Sequence, residues 1–244
     1  MERLRHSDYR RLLDLVAALQ EPMPPGAFGE RIVALMSELL PGATIAFDQI
    51  HEAESFYTID HNVPLDAADL ARMTARLSEL YRENPVYGYI QRGGTGPVVD
   101  IADLMPRRQF HKTDFYQDIF RPYGIEHQVN VLLSREGWIN SLTINRDRVI
   151  DGRTKTMLAL ASRHIQLAHR QVCLTDRLRR GGTGETLTAR EIEVFRWLRE
   201  GKRNSEIAII LGCSSRTIDK HVEHILRKTG AETRTAAVRI ARGE

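Results

Sequence analysis

The stretch from Leu187 to Ala236 constrains this chain most, because it packs successive helix starts and stops into some fifty residues. Thr188-Ala189-Arg190-Glu191 puts a hydroxyl at an N-cap and a carboxylate three residues on, which satisfies two amide donors that a helix start otherwise leaves orphaned. Ile192, Phe195 and Leu198 follow at three-residue spacing, and Gly201 stands where a left-handed residue closes a helix. Asn204 is placed to cap a second helix, whose Ile207, Ala208 and Leu211 share a face before Gly212 breaks it. Ser214 is placed to cap a third, with Ile218, Val222, Ile225 and Leu226 in one stripe. Arg216, Lys220, Glu223, His224 and Arg227 lie opposite that stripe.

Two short helices around a glycine turn, the second apolar on one side and largely basic on the other, form a helix-turn-helix pattern. Periodicity alone equally admits an αα-hairpin with a solvated charged face. Residue identity separates the two. Leu187-Thr188-Ala189-Arg190-Glu191, Gly201-Lys202-Arg203-Asn204-Ser205-Glu206-Ile207-Ala208, Ser214-Ser215-Arg216-Thr217-Ile218 with His221-Val222, and Arg234-Thr235-Ala236 occur in order at fixed spacing. Together these blocks resemble the LuxR-type, or FixJ/NarL-type, DNA-binding domain over roughly the last quarter of the chain.

The resemblance implies an all-α four-helix head, with a recognition helix from Ser214 to Thr229 and a last helix from about Thr233 to Arg242 used for dimerisation. The partner it implies is double-stranded DNA. The residues expected to face it are Lys202, Asn204 and Arg234 around the first turn, Ser214, Ser215, Arg216 and Thr217 at the recognition-helix start, and Asp219, Lys220, His221, Glu223, Arg227 and Lys228 along it. The chain departs from the pattern at Asp219 and Glu223, where such domains often carry lysine. A carboxylate beside phosphates is repelled. Asp219 is therefore expected to pair with Arg216, three residues away on the same helical face, and orient its guanidinium, with direct acceptance from a cytosine amine as the second reading.

Formal charge over the 244 residues is only +3, so whole-chain charge is a feeble argument for nucleic acid. Its distribution is more informative: from Asp176 onward 15 Lys and Arg stand against 10 Asp and Glu, which confines the basic excess to the C-terminal part. Two cysteines, Cys173 and Cys213, lack redox-pair spacing and zinc partners, which points to a reducing compartment. The N-terminus has no signal-peptide core, and no apolar run reaches the length of a membrane span. The expected location is the cytoplasm, with no membrane partner.

Upstream, Tyr9, Leu12, Leu13, Val16 and Leu19 form a helical stripe ended by Pro22, Pro24 and Pro25, and a second helix is expected from Phe28 to Leu40. Strands are expected over Thr44–Ile50 and Phe56–Ile59 around a polar turn, then a helix from Asp66 to Arg82. After the glycine-rich loop Gln91–Pro97 come a short apolar piece, Val98–Ile101, and a helix from Arg107 to Phe120. Gln128–Leu133 and Trp138–Asn145 read as a hairpin about Arg135-Glu136-Gly137, followed by a long helix from Gly152 through Cys173. The glycine loop lacks the Gly-Lys-Ser/Thr ending of a phosphate-binding loop.

This order predicts an α+β sensor domain, an antiparallel sheet covered by helices, over residues 1–175, a linker over 176–184 and the head over 185–244. The N-terminal part resembles the GAF/PAS-like sensory domains found ahead of LuxR-type heads. Asn84-Pro85-Val86, Arg108-Gln109-Phe110, Phe120-Arg121-Pro122-Tyr123-Gly124 and Ile144-Asn145-Arg146 carry that likeness.

A small-molecule pocket is expected between sheet and helices, with Trp138, Asn140, Leu142 and Ile144 alternating onto its face and Tyr57, Tyr87 and Phe110 as further candidates. Asn140 suits a polar residue satisfied in the core or facing solvent better than a ligand contact, and the aromatic residues suit the core better than a ligand box. Asp48 ends part of a strand, but the acidic pair and lysine of a phosphorylated receiver are missing. With tryptophan only at 138 and 197, an acyl-homoserine lactone is a poor match to the aromatic pattern. His164, on the inward side of the long helix, and His169 miss the spacing that puts two metal ligands on one helical face. No nucleophile elbow or Cys/His pairing marks a catalytic site, and no cofactor motif is present. The expected function is that of a dimeric, bacterial DNA-binding regulator, not an enzyme, controlled by a small ligand or partner. The alternative is an interaction module that uses its helix-turn-helix for assembly.

Overall fold

The computed structural model describes residues 2–23, 26–51, 56–134, 138–179 and 187–242. The chain divides into two compact units, Met1–Pro22 with Gly29–His169 and Met23–Phe28 with Arg170–Glu244. The division falls inside a long helix, ahead of the segment read as a linker.

The first unit starts with helices α1 (His6–Gln20) and α2 (Phe28–Leu39) and strands β1 (Thr44–His51) and β2 (Phe56–His61). Helix α3 (Ala67–Leu80) is capped by Asp66, whose carboxylate accepts from the Asp69 amide at 2.8 Å. Helix α4 (Pro85–Gln91), strand β3 (Val98–Asp100) and the single turns α5 (Ile101–Leu104) and α6 (Arg107–Phe110) follow. A π-helical turn over Tyr116–Phe120 leads into strands β4 (His127–Ser134) and β5 (Trp138–Arg146), then helix α7 (Gly152–Arg179). The strands form one antiparallel sheet in the order β2-β1-β5-β4-β3. This is the expected α+β architecture. No helix among the described residues is long and apolar enough to cross a membrane.

Both faces of the sheet are covered. Ile45, Phe47, Val129, Val131, Leu142 and Ile144 form one face, each at most 3% exposed. It meets α7, where the Phe47 and His169 rings lie 5.9 Å apart, and α2, where Gly29 sits so close that a Cβ would fall 2.8 Å from the Phe47 ring. The other face carries Ala46, Ile50, Tyr57, Ile59 and Ile139 into a cluster with Leu77, Leu80, Tyr81, Val86 and the aromatic group Phe110, Phe115, Tyr116 and Phe120.

Several elements depart from the sequence pattern. On α1 the core takes Leu12, Leu15 and Leu19, while Tyr9 and Leu13 are 51% and 68% exposed. The expected helix from Arg107 to Phe120 breaks after Phe110, because the Thr113 hydroxyl bonds back to the Phe110 carbonyl at 2.8 Å and accepts from the Tyr116 amide at 3.1 Å, starting a new turn. Helix α4, to which the sequence pattern assigns no element, is set by Asn84 as N-cap, accepting from the Val86 amide at 2.9 Å, with Pro85 in the first turn. Helix α7 runs six residues past Cys173, into the segment read as a linker. His164 is exposed on α7, and His169 is the buried one. Pro24, Pro25, the turns over 52–55 and 135–137, and linker residues 180–184 lie outside the described residues.

Among the described residues the second unit holds the end of α7 and four further helices: α8 (Ala189–Arg199), α9 (Asn204–Ile210), α10 (Ser215–Thr229) and α11 (Arg234–Arg242). Helix α10 packs against the other three. Val194, Leu198, Ile207, Ile218, Ile225 and Ala237, all at most 2% exposed, form the core. Ile192 and Phe195 of the expected stripe are half-buried, and Val194 and Trp197 take the inner positions instead. The left-handed turns fall on Gly201, Gly212 and Gly230 at φ of 76°, 61° and 69°.

Asp8 ties the two ends of the first unit together. Its buried carboxylate accepts from the Arg5 amide at 2.8 Å and from Arg153 Nε, on α7, at 2.7 Å. The Arg153 hydrogen bond, against the opposing effect of burial, holds the Asp8 carboxyl down to about 2. A depressed carboxylate contributes stability above its ordinary range and loses it as pH falls toward the folded value. Asp8→Asn should therefore lower the melting temperature at neutral pH. It should also flatten the loss of stability between about pH 4 and 2, measured by circular dichroism melts across pH.

Candidate nucleic-acid interface and ligand cavity

The head presents α10 on a frame fixed by caps. The Ser214 hydroxyl accepts from the Thr217 amide at 3.1 Å, so the expected cap forms. The Thr188 and Glu191 box also closes: the Glu191 carboxylate accepts from the Thr188 amide at 2.7 Å, and the Thr188 hydroxyl from the Glu191 amide at 3.3 Å. The cap of α9 is a correction. Asn204 is the first helical residue, Arg203 holds the cap position, and Glu206 closes it by accepting from the Arg203 amide at 2.7 Å.

Ser214, Ser215, Arg216, Thr217, Asp219, Lys220, Glu223 and Arg227 are exposed, and His221 is half-buried. Ile218 and Ile225 point into the core. A cationic and hydroxylic face thus stands at the start of a helix whose other side is anchored. Burial, with Arg190 adding to it, pushes His221 below its ordinary value, which favours the neutral imidazole.

The Arg216 and Asp219 pair does not form: among the described residues no ion pair joins them. Asp219 instead accepts from Asn204 Nδ2 at 2.7 Å. The Asn204 carbonyl in turn accepts from Arg234 Nη1 at 3.4 Å, and Arg234 also donates to the Lys202 carbonyl. A three-residue chain therefore links the starts of α11 and α9 to α10. The amide outcompetes the guanidinium because it is already held by a packed neighbour, whereas Arg216 would have to give up side-chain freedom and solvent.

Lys228 is also reassigned. Its ammonium lies 2.7 Å from Glu191 Oε2, with side-chain exposures of 11% and 3%. Burial works against the charge, yet Lys228 and the Thr188 amide hold the Glu191 carboxyl below the usual carboxylate range. His224 Nδ1 stands 3.5 Å from the other Glu191 oxygen. Lys228 is thus committed to joining α10 to the start of α8. No spacing rule reveals this, since 37 residues separate the pair.

In the first unit a cavity of about 20 Å³ opens between the sheet and α4, room for a water or ammonium-sized group. Its floor is Asp48, Asn130, Ser141 and Thr143, and its walls include Tyr57, Tyr81, Asn84, Tyr87 and Phe115. Two of the expected residues, Tyr57 and Tyr87, line it. Trp138 and Asn140 do not, because strand alternation puts Ile139, Ser141 and Thr143 on the cavity side of β5. Trp138 stacks edgewise on His51 at 4.7 Å, and Asn140 accepts from Gln49 at 3.2 Å on the opposite face. Phe110 is only 2% exposed, within the aromatic cluster.

Asp48 is the residue that sequence reasoning passed over as a ligand group, although a carboxylate inside the apolar run Ile45-Ala46-Phe47-Asp48-Gln49-Ile50 was the available signal. Its side chain is buried. The Tyr57 hydroxyl donates to Oδ1 at 2.6 Å, and among the described residues Oδ2 has no hydrogen-bond partner, nor has the buried Tyr81 hydroxyl; the nearby Thr143 hydroxyl is directed to the Ala46 carbonyl at 3.4 Å. Burial, opposed chiefly by the Tyr57 hydroxyl, pushes Asp48 up to about 6. A raised carboxylate favours folding while protonated and loses that advantage as pH rises from its ordinary range through the folded value. Holding it ionised at neutral pH costs roughly 3 kcal/mol.

The sequence profile described as "Bacterial regulatory proteins, luxR family" matches residues 185–241, so the C-terminal head is a LuxR-type domain. The transcriptional activator protein AhyR of Aeromonas hydrophila is 44% identical over 61 residues, 25% of this chain and 24% of AhyR. The transcriptional activator protein PhzR of Pseudomonas fluorescens is 30% identical over 120 residues, 49% of this chain and 46% of PhzR. The chain thus spans less than half the length of these curated relatives. In fold, the LBD domain of VqsR from Pseudomonas aeruginosa matches 70% of this chain and 98% of its own, with a TM-score of 0.53 and 16% identity.

Lys228→Ala should leave Glu191 buried and unpaired, lowering stability on the order of 2–4 kcal/mol, read as a drop in melting temperature. Below that transition the salt dependence of DNA binding should stay as in the parent. A flatter slope would return Lys228 to the DNA face.

Proposed function

We propose that this protein is a DNA-binding transcription regulator that acts as a homodimer and is controlled by a small ligand in its N-terminal domain. The observation that carries the reading is the exposed face of α10, where Arg216, Lys220 and Arg227 stand outward on a helix anchored by Ile218 and Ile225. A helix held in this way and carrying several cations suits insertion into the major groove, with some contacts fixing position on phosphates and others reading base edges. The LuxR-type head and the activators it resembles support the same reading. The cytoplasm, where a bacterial regulator meets its DNA, is the compartment this function implies.

Self-association is supported by α7. Leu160, Leu167 and Leu174 recur at seven-residue steps and are 42%, 51% and 51% exposed, the spacing of a seam between two helices. Ligand control is supported by the cavity, where buried polar atoms of Asp48 and Tyr81 lack partners. Such groups cost stability unless something completes them.

Fluorescence anisotropy with duplex DNA selected from a random pool tests the reading. Affinity should fall steeply with salt, and Lys220→Ala or Arg216→Ala should either flatten the slope of log K by about 0.9, as a lost phosphate contact, or relax preference at a base step worth roughly 1–3 kcal/mol. Leu167→Glu should shift the protein toward monomer in light scattering and weaken operator binding. Binding with neither salt dependence nor sensitivity to Lys220 and Arg216 would instead favour the assembly role.

A further inference from the structure

The floor of the cavity carries a chemistry that its apolar surroundings do not need. The sheet face beneath it places Asp48, Asn130, Ser141 and Thr143 side by side on three strands. Most of that polar capacity is consumed locally. Tyr57 bonds to Asp48 Oδ1 at 2.6 Å, and Asn130 donates to Gln128 at 3.1 Å, which in turn donates to Asn145 at 2.8 Å. Two buried atoms on the cavity lining are left over, Asp48 Oδ2 and the Tyr81 hydroxyl oxygen, in residues 3% and 1% exposed. Both can accept a hydrogen bond.

Among the described residues the lining holds one carboxyl group and no Lys, Arg or His. The Arg82 guanidinium stacks on the Tyr81 ring at 4.8 Å, but Arg82 is exposed and does not line the cavity. An unneutralised carboxylate in a basic-free cavity repels anions and favours a cation. The walls suit the same guest, since Tyr57, Tyr81, Tyr87 and Phe115 present aromatic surface around the carboxylate. Tyr81 and Tyr87 are locked edge to face at 5.0 Å, which fixes the pocket shape on that side.

We propose that this cavity is an amine site: it takes a small organic ammonium whose N–H groups donate to Asp48 Oδ2 and the Tyr81 hydroxyl oxygen, with an apolar or aromatic substituent lying against Tyr87, Ile90 and Phe115. The cavity volume admits the ammonium head, and half-buried Tyr87 and Ile90 on α4 supply the surface for the rest. The assignment deepens the reading of the N-terminal domain as ligand-controlled and rests on it. It also accounts for why a carboxylate is kept buried here at a cost to the unliganded fold.

The test uses the full chain and three isosteric probes: phenethylamine, phenethyl alcohol and 3-phenylpropionate. Calorimetric titration and thermal shift at neutral pH should show saturable binding of phenethylamine, at least about tenfold tighter than the alcohol, with no binding of the carboxylate. Asp48→Asn keeps an acceptor for Tyr57 while removing the charge. It should abolish the preference for the amine and raise the melting temperature of the ligand-free protein. Tyr81→Phe should weaken amine binding severalfold with the melting temperature little changed. A lower melting temperature in Asp48→Asn with amine binding retained would make Asp48 a structural residue and overturn the proposal. So would equal binding of the alcohol, or failure of phenethylamine to bind. DNA anisotropy separates this proposal from the broader one. If the amine binds but leaves DNA affinity unchanged, ligand control fails and the amine site stands. If a neutral or acylated compound alone binds and shifts DNA affinity, control stands and the amine site fails.

Discussion

Burial of the sheet on both faces is the constraint on which the first unit depends. In β5 the seven residues from Ile139 to Asn145 are all buried, so its alternation sorts them between two interiors rather than between core and solvent. Leu142 and Ile144 go to the face under α2 and α7, and Ser141 and Thr143 go to the face under α4. A shift of one residue in the pairing of β1 with β5 would exchange these sets and put Asp48 against the apolar layer. The dry face fixes that register through close-packed Phe47, Leu142 and Ile144. The second face is thereby free to hold polar groups.

The head solves a different problem with fewer residues. Its helices are short, and isolated helices of such length are marginal in water. Their stability must come from packing around α10 and from caps. Glu191 serves both ends of this arrangement: it closes the start of α8 and pairs with Lys228 near the end of α10. Asn204 performs the matching task across the turn, bridging Arg234 and Asp219. These contacts fix the helix that carries the outward cations Arg216, Lys220 and Arg227 against the rest of the head.

Much of the head was legible in the sequence because its signals are local. A hydroxyl cap, a carboxylate three residues on and a glycine in a left-handed turn are each decided by residues within one helical turn, and Thr188, Glu191, Ser214 and Gly201 behave accordingly. The apolar stripe of α10 was equally legible, since Ile218 and Ile225 repeat on one helical face. Strand positions were readable from β-branched and aromatic runs, and the alternation in β5 was correctly periodic. What alternation could not supply was which face meets α4 and which meets α7, because both sets are buried. Helix α4 itself was announced only by Asn84 and Pro85, too brief a signal to separate from a turn.

The sequence by itself determined the α+β order, the first three helices of the head and the largely basic side of α10, because these follow from propensities and periodicities acting over a few residues; the fourth helix of the head was implied by the family resemblance. Only the tertiary structure decided the partners of the charged groups. Asp219 finds Asn204 rather than Arg216, Lys228 finds Glu191 rather than solvent, and Asp48 meets Tyr57 while one oxygen faces a cavity. The reason is physical: a side chain chooses among partners by distance, burial and the freedom each must surrender, and chain separation carries almost none of that information.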